Sequence, residues 1–295
     1  MKADLHLHTT ASDGRFTPAE LVEAACLVGL KAIAITDHDE TCGVEAARAV
    51  VAERGYRLEV LMGIEINTVW QDAEVHVLGY FMDPATPGWQ EAMQRQQGER
   101  MRRMTRFVAA LQAFGVPVTL EAVQAEAGAG SLGRPHLARA LVAMGVAGSE
   151  QSAFERFLTP GTPTYVPREG LTPFEAIALI RKAGGVSSLA HPKNVSLTAP
   201  TGPEDPTSLI ERLVEAGLDA LEIVHPSQPP MLRDYYAGMV AYYGLLSTGG
   251  TDDHGPRLGR PARIGSEAVD YAWVEALRER RAVVGGFGSL ARKLL

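Results

Sequence analysis

Cysteine is scarce in this chain of 295 residues, which contains only Cys26 and Cys42. Two cysteines can form neither a disulfide framework nor a zinc site built from thiolates, so any bound metal must be held by histidine and carboxylate. Positive charge is also in deficit, because 28 Lys and Arg face 35 Asp and Glu, giving a formal charge of −7. This balance argues against a broad electrostatic grip on duplex DNA, although it leaves room for a local basic pocket.

Long hydrophobic runs are missing as well. The longest apolar stretches, such as the one around residues 32–35, are far too short to cross a bilayer. The N-terminus shows no apolar signal-peptide core and enters a histidine-rich segment at once, so we expect a cytoplasmic location. Hydrophobic residues make up 46% of the chain, which is enough for the core of one large domain or two modest ones.

The sequence divides into two kinds of segment. Strand and helix patterns alternate over residues 1–82 and again over residues 164–295, which favours a mainly parallel sheet covered by helices. Residues 83–163 are rich in Arg, Gln, Met and Ala and carry few strand signals, so we interpret them as a helical insertion, or cap. Residues 197–206 are predicted to form a loop. In parallel sheets of this kind, sites lie at the carboxyl ends of the strands.

Histidines and carboxylates gather at the predicted strand ends. His6 and His8 stand two apart on one strand, so their side chains share a face with Cα atoms roughly 6.6 Å apart, and together they can chelate a metal. Thr36-Asp37-His38-Asp39 closes an apolar strand, which a site explains better than packing does. Glu65 lies inside an apolar strand, where an unpaired carboxylate is costly.

Further histidines and carboxylates follow the same pattern, although each has an ordinary explanation when taken alone. Asp13 alone is explained by a turn, because Asp-Gly is a common turn dipeptide. His76 alone is explained as a buried histidine whose hydrogen bonds are made within the core. His191 ends another strand, and Asp252 and His254 follow a strand through two glycines. Their joint occurrence in one α/β chain is hard to explain by separate structural roles and indicates a metal site.

Six segments resemble, in order, the motifs of the PHP (polymerase and histidinol phosphatase) family: D-L-H-L-H-T-T-A-S-D-G, T-D-H-D, G-I-E, H-V-L-G-Y, A-H-P and T-D-D-H. The match runs from residue 3 to residue 254. The chain is most similar to the branch with a helical insertion, which acts on nucleoside 3',5'-bisphosphates or on the 5' ends of short RNA. The resemblance implies a distorted (β/α)7 barrel with a metal cluster at its carboxyl rim, whereas periodicity alone indicates only an α/β sheet.

The resemblance also implies a ligand set for three metal ions. The first would be held by His6, His8, Glu65 and Asp252, the second by Glu65 as a bridge, His76 and His191, and the third by Asp13, His38 and His254. These ligands suit Mn²⁺, which we expect, with Fe²⁺ or Zn²⁺ as alternatives. Closely spaced metals suit phosphoester hydrolysis by a metal-activated hydroxide. Asp37 or His191 would order this hydroxide or move a proton. Asp253 departs from the family, where a neutral residue is usual.

Cations are needed to hold a phosphate substrate. Arg134 opens a predicted helix and forms an Arg-x-His element with His136, which contacts phosphate in the branch that the chain resembles. Lys193 is a weaker candidate, and we expect Arg168 to be a surface residue. The basic run Arg95, Arg100, Arg102, Arg103 and Arg106 is predicted to form a solvated helix face. A path for single-stranded RNA is the alternative, but it lacks stacking aromatics.

The sequence therefore predicts a metal-dependent phosphoesterase that releases the 3'-phosphate of nucleoside 3',5'-bisphosphates. A 5'→3' exoribonuclease acting on short 5'-phosphorylated RNA is the main alternative. A histidinol-phosphate phosphatase is disfavoured by the helical insertion, and a non-catalytic metal-binding module by the complete ligand set. The expected partners are a small nucleotide or short single-stranded RNA, with neither duplex DNA nor a membrane, and the oligomeric state stays open.

Overall fold

The protein is described by a computed structural model that covers residues 1–71, 73–195, 197–199, 202–204, 206–257 and 260–291. The strands within these residues are β1 (Lys2–Leu7), β2 (Ala32–Ile35), β3 (Glu59–Trp70), β4 (Ala73–Tyr80), β5 (Val186–Leu189), β6 (Leu197–Ala199), β7 (Gly202–Glu204), β8 (Ala220–Val224), β9 (Leu246–Gly249) and β10 (Val269–Asp270). The helices are α1 (Pro18–Leu27), α2 (Cys42–Arg54), α3 (Trp89–Ala113), α4 (Leu120–Ala127), α5 (Arg134–Ala143), α6 (Glu150–Ala153), α7 (Pro173–Lys182), α8 (Pro206–Glu215), α9 (Pro230–Tyr243) and α10 (Ala272–Ala291).

Eight of the strands form one sheet, in the order β10-β1-β2-β3-β4-β5-β8-β9. The chain that follows β9 returns to β1, where His8 N donates to Asp253 O at 3.1 Å and Leu7 pairs with Asp253. Gly250 permits this return, because a Cβ there would lie 2.5 Å from the backbone nitrogen of His6. The sheet therefore curls into a nearly closed barrel, and the predicted distorted α/β barrel is confirmed.

The sheet is mainly parallel, as predicted, because six of its eight strands run in one direction. The exceptions are β10, which runs antiparallel to β1, and β4, which runs antiparallel to both β3 and β5. Only residues 71–72 separate β3 from β4, and so short a link permits a hairpin but not a parallel crossover. As a result, the first half of β4 lies at the rim where the parallel strands end, and His76 O accepts from Ala190 N just beyond β5. A second hairpin, β6 and β7, occupies the segment that was predicted to be a loop.

The helical segment between β4 and β5 has a hydrophobic core of its own. Near its start, α3 contributes Trp89 and Met93 to the core between the sheet and its helices. Further along, Phe107 and Leu111 of the same helix join a second cluster with α4, α5 and the π-helical turn after α6. Thus α3 connects the helical segment to the barrel. The domain boundaries at residues 83 and 163 stay a prediction.

Among the helices that the structure describes, none combines the length with the apolar character that a membrane span requires.

Candidate metal centre and adjoining cavity

All nine predicted metal ligands lie at the same rim of the barrel. His6 and His8 stand at the end of β1, and the short loops after β2, β5 and β9 carry most of the others. One ligand atom of each member lies within 4.8 Å of the others in three groups: His8, Asp13, His38 and His254; His6, His8, Glu65 and Asp252; and His38, Glu65 and His76. Most of the nine side chains are buried, while His76, Asp252 and His254 are partly exposed at the mouth of the centre.

Glu65 occupies the middle of the cluster. Its Oε1 lies 2.8 Å from His76 Nδ1 and 3.0 Å from His191 Nε2. Its Oε2 lies 2.9 Å from His38 Nδ1 and 3.4 Å from Nε2 of both His6 and His8. A carboxylate with imidazoles around both of its oxygens has the arrangement that the bridging position requires.

The unpaired polar atoms of the cluster fit a metal centre. Within the described residues, several buried atoms make no hydrogen bond, namely His6 Nε2, both ring nitrogens of His8, His38 Nδ1, His191 Nδ1 and Glu65 Oε2. Leaving a buried polar atom unsatisfied costs about 1–3 kcal/mol, so these atoms are poorly accounted for by the protein alone. Divalent cations that accept histidine and carboxylate ligands would satisfy them.

The electrostatics of the cluster favour cations. Burial would raise the pKa of the Glu65 carboxyl, but His38, His76 and His6 together hold that pKa well below its usual range. The pKa values of Asp13 and Asp252 are likewise held well below the usual range by nearby histidines, against the effect of burial. Burial and the neighbouring His254 lower the pKa of His8 to about 3, which keeps its ring in the neutral form that binds metals.

Two residues that the sequence analysis overlooked support the ligands. Glu222 of β8 is fully buried, its Oε1 lies 2.9 Å from His6 Nδ1, and its Oε2 accepts from His191 N at 2.6 Å. His225 follows β8 directly, and its Nε2 lies 3.2 Å from Asp252 Oδ2. The signals that singled out other ligands are present here too, since Glu222 lies inside an apolar strand and His225 stands at a strand end.

Backbone strain is concentrated around the centre. Asp39, His191 and Asp252 have φ values of 53°, 27° and 47°, in the region that non-glycine residues rarely adopt. Such conformations cost about 1–3 kcal/mol each and persist only where surrounding contacts enforce them, which happens most often at functional sites.

Asp37 contacts the turn that follows β1 and carries Asp13. Its carboxylate accepts from Thr9 N at 2.7 Å, from Thr9 Oγ1 at 2.6 Å and from Ser12 Oγ at 2.6 Å. Burial raises the pKa of Asp37, although these hydrogen bonds oppose the shift. The contacts hold the turn that carries Asp13, and the role of Asp37 in proton transfer stays a prediction.

A cavity lined by arginines adjoins the metal centre. Arg100 Nε and Arg168 Nη2 donate to Asp39 Oδ2 at 2.6 and 3.0 Å. On the other side, Arg103 and Arg134 donate to the two oxygens of Glu74 at 2.7 and 2.8 Å. The predicted ligands Asp13, His38, His76 and His254 line the same cavity.

Two expectations about these arginines were wrong. Arg100 and Arg103 do not belong to a solvated helix face, because each is only 6% exposed, and Arg168 is 8% exposed rather than a surface residue. Helical spacing places Gln96, Arg100, Arg103 and Phe107 on the inward face of α3. Arg95, Arg102 and Arg106 are exposed, as predicted. The buried guanidiniums are tolerated because Asp39 and Glu74 compensate their charge, and these partners lie far away in sequence.

The three predicted phosphate contacts differ in placement. Arg134 lies at the N-terminus of α5 and lines the cavity. His136 is buried, and its Nδ1 accepts from Gly133 N at 2.9 Å, which holds the first turn of α5. Lys193 is exposed and donates to Ser227 O at 2.7 Å. Direct phosphate contacts by these side chains stay predictions.

Comparison with known proteins agrees with this geometry. The family model of the PHP domain matches residues 4–127. The chain is 35% identical to the 5'-3' exoribonuclease Rnm of Escherichia coli K12 over 92% of its length and 93% of the relative, and 31% identical to the 3',5'-nucleoside bisphosphate phosphatase of Chromobacterium violaceum over 87% and 88%.

A solved structure, a putative metal-dependent phosphoesterase from Bifidobacterium adolescentis, matches with a TM-score of 0.83 and 34% identity, over 93% of this chain and 94% of that one. The similarity thus spans the barrel and the helical insertion together. The chain belongs to the PHP family and is a metal-dependent phosphoesterase.

Proposed function

We propose that the protein hydrolyses the 3'-phosphoester bond of nucleosides that carry a 5'-phosphate, with nucleoside 3',5'-bisphosphates as the simplest substrates. One observation carries the proposal. The arginine cavity and the opening over the metal ligands share a wall, formed by His38, Glu74, His76, Arg134 and His254. A substrate with two phosphates can therefore place one at the metal centre while the other reaches the arginines.

The charge of the cavity matches a phosphate monoester. Four arginines, Arg100, Arg103, Arg134 and Arg168, line it, and their ion-pair partners are Asp39 and Glu74, so this group carries 4 − 2 = +2. Asp13, which also lines the cavity, is counted with the predicted metal ligands. A phosphate monoester carries about −1.5 to −2 at neutral pH. Arginine also presents a planar fork of donors that suits phosphate oxygens. The 5'-phosphate is thus the group we assign to this cavity.

We assign the metal centre three ions, with Mn²⁺ as the expected metal and Fe²⁺ or Zn²⁺ as alternatives. Divalent ions bound there would polarise the phosphoryl oxygens and promote the ionisation of water. The protein supplies the anionic ligands Asp13, Glu65 and Asp252, which offset the charge of the cations. His191, whose Nε2 lies 3.0 Å from Glu65, stays our candidate for orienting the nucleophile or moving a proton.

A second candidate function uses the same site on a diester. The relative from Escherichia coli is named as a 5'-3' exoribonuclease, and a cavity for the 5'-phosphate would place the first phosphodiester of an RNA at the metal centre. Short 5'-phosphorylated RNA would then lose one nucleotide at a time. Histidinol phosphate, which has a single phosphate, would leave the arginine cavity unfilled.

The test is hydrolysis by the metal-loaded protein. Phosphate release from adenosine 3',5'-bisphosphate is compared with release from adenosine 3'-monophosphate, adenosine 5'-monophosphate and histidinol phosphate, with Mn²⁺, Fe²⁺ and Zn²⁺ in turn. We expect the bisphosphate to lose its 3'-phosphate with the highest kcat/KM and the 5'-monophosphate to be inert. Silence across the whole panel, or equal kcat/KM with and without the 5'-phosphate, would overturn the proposal. An Asp252→Asn variant controls for contaminating phosphatase.

A further inference from the structure

We infer that the arginine loop, defined as Gly255 to Arg257 and Arg260 to Arg263, binds the phosphodiester backbone of an RNA on the 3' side of the cleaved bond. This inference rests on the proposed function and extends it to a substrate class, because a mononucleotide has no phosphate that could reach the loop.

The arginine loop lies beside the metal centre, on a different side from the arginine cavity. Arg257, Arg260 and Arg263 line an opening together with the predicted ligands Asp252 and His254. His254 also lines the arginine cavity. The metal centre therefore has one basic region next to it for the 5'-phosphate and another for whatever continues beyond the cleaved bond.

The guanidiniums of the loop form no ion pairs within the described residues. Arg257, Arg260 and Arg263 are exposed, and within the described part of the chain no carboxylate forms an ion pair with them. Some exposed arginines elsewhere are paired, as in Arg48 with Glu45 and Arg278 with Glu59, while others, such as Arg57 and Arg95, form no ion pair within the described residues. What distinguishes the loop is that three unpaired guanidiniums lie together beside the metal centre. In a chain of net charge −7, three adjacent unpaired cations make a local positive field next to the reaction centre. Such a field attracts a polyanion.

Asp253 anchors this loop. Its Oδ1 accepts from the backbone nitrogen of Arg263 at 3.1 Å and makes no ion pair with a guanidinium of the loop. The acidic residue that would otherwise repel phosphate is 4% exposed. It therefore holds the loop in place while the guanidiniums stay available to a ligand.

Further backbone contacts join the two parts of the loop to each other and tie the chain just after it to β1. Arg257 N donates to Arg260 O at 2.9 Å, and Arg260 N donates to Arg257 O at 2.8 Å. Just after the loop, Gly265 N donates to the buried carboxylate of Asp4 at 3.0 Å. A loop fixed in this way loses little conformational freedom when a ligand binds, so its charges contribute efficiently to affinity.

Salt dependence gives the inference a quantitative signature. Each phosphate of a single strand that a protein neutralises contributes about 0.7 to the slope of log affinity against log salt concentration. Three arginines on three phosphates would contribute about 2. The two phosphates of a bisphosphate are assigned to the metal centre and the arginine cavity. The loop should therefore add nothing to the salt dependence of bisphosphate hydrolysis.

The experiment compares the wild type with an Arg257→Gln/Arg260→Gln/Arg263→Gln variant. Two quantities are measured from 50 to 300 mM salt: KM for short 5'-phosphorylated RNA, and RNA binding by fluorescence anisotropy with a chelator that prevents cleavage. We expect RNA affinity at 50 mM salt to fall about tenfold or more and the salt slope to fall by about 2. The kcat and KM for adenosine 3',5'-bisphosphate should stay within twofold of wild type.

The matched control is Arg48→Gln/Arg54→Gln/Arg278→Gln, which removes the same charge from paired surface positions and should leave the RNA slope unchanged. Unaltered RNA binding in the loop variant would overturn the inference while leaving the proposed function intact. A KM for the bisphosphate that rises by the same factor as the KM for RNA would also overturn the inference. A wild type that cleaves neither substrate would refute the proposed function instead, and anisotropy would still test the loop.

Discussion

Replacing Glu222 with glutamine is expected to weaken metal binding, although Glu222 is not among the predicted ligands. Its two oxygens serve two different partners, the ring of His6 and the backbone nitrogen of His191. By fixing His6 Nδ1, it directs Nε2 of that ring towards Glu65 and Asp252, each 3.4 Å away. A glutamine has the same shape but offers only one acceptor oxygen, so one of the two hydrogen bonds must be lost.

The expected loss of metal affinity follows from the role of Glu222 as a residue that orients a metal-binding histidine. Loss of a group that orients a metal-binding histidine lowers metal affinity by roughly 10- to 100-fold, equivalent to about 1.4–2.8 kcal/mol. Both contacts of Glu222 are buried, so water cannot replace the lost hydrogen bond and the upper half of that range is expected. The sites that use His6 and His191 should weaken, whereas the group of Asp13, His38 and His254 should keep its affinity.

The assay is competition between the protein and a chelator of known affinity, with metal content measured after dialysis. The exposed Glu53→Gln on α2 is the control for removal of one negative charge. Circular dichroism of the metal-free proteins separates a loss of affinity from a loss of fold. Affinity within threefold of wild type, in a variant that remains folded, would refute the argument that Glu222 positions His6.

Three further predictions concern the same site. Glu65→Gln should reduce metal content at two positions and Asp13→Asn at mainly one, so equal metal content in the two variants would refute the bridging role of Glu65. Arg134→Gln should raise KM for adenosine 3',5'-bisphosphate roughly tenfold, because one charge-assisted hydrogen bond is lost. The control substrate is adenosine 3'-monophosphate, whose KM should not change. Removing the metals should lower stability, because a ligand at 100 times its Kd contributes about 2.7 kcal/mol. For a chain of 295 residues that corresponds to about 4 °C in Tm, and a melting temperature that is the same with and without chelator would contradict a metal centre built from these ligands.

The clustering of the nine candidate ligands could be anticipated from the sequence because their chemistry conflicts with their surroundings. Histidines and a carboxylate inside apolar strands have no good reason to be there unless something binds them, and the ends of neighbouring strands bring them together. Glu222 carries the same signal within β8, and His225 stands at a strand end as His38 does. Both could therefore have been found by the same argument, and their omission was not a limit of the sequence.

Other features depend on contacts that no local pattern reveals. Arg100, Arg103 and Arg168 look like solvated cations in sequence, and they are buried only because Asp39 and Glu74 come from distant parts of the chain to meet them. The reversed direction of β4 could not be read from a local pattern either. The strand pattern of β4 is the same whichever way it runs, and the short link to β3 decides its direction.

The two basic regions differ in a way that bears on substrate choice. In the arginine cavity the guanidiniums are mostly buried, and Asp39 and Glu74 neutralise half of their charge. The single terminal phosphate that we assign to this cavity is a group of fixed size and charge. In the arginine loop the guanidiniums are exposed and unpaired, so contacts there tolerate any number of phosphates and respond to salt. A site with the first region alone would be a nucleotidase. With the second region added, as we propose, the same metal centre would accept an RNA chain whose 5'-phosphate is bound in the arginine cavity. The salt dependence of RNA cleavage and of bisphosphate hydrolysis should then differ, although both reactions break a phosphoester bond.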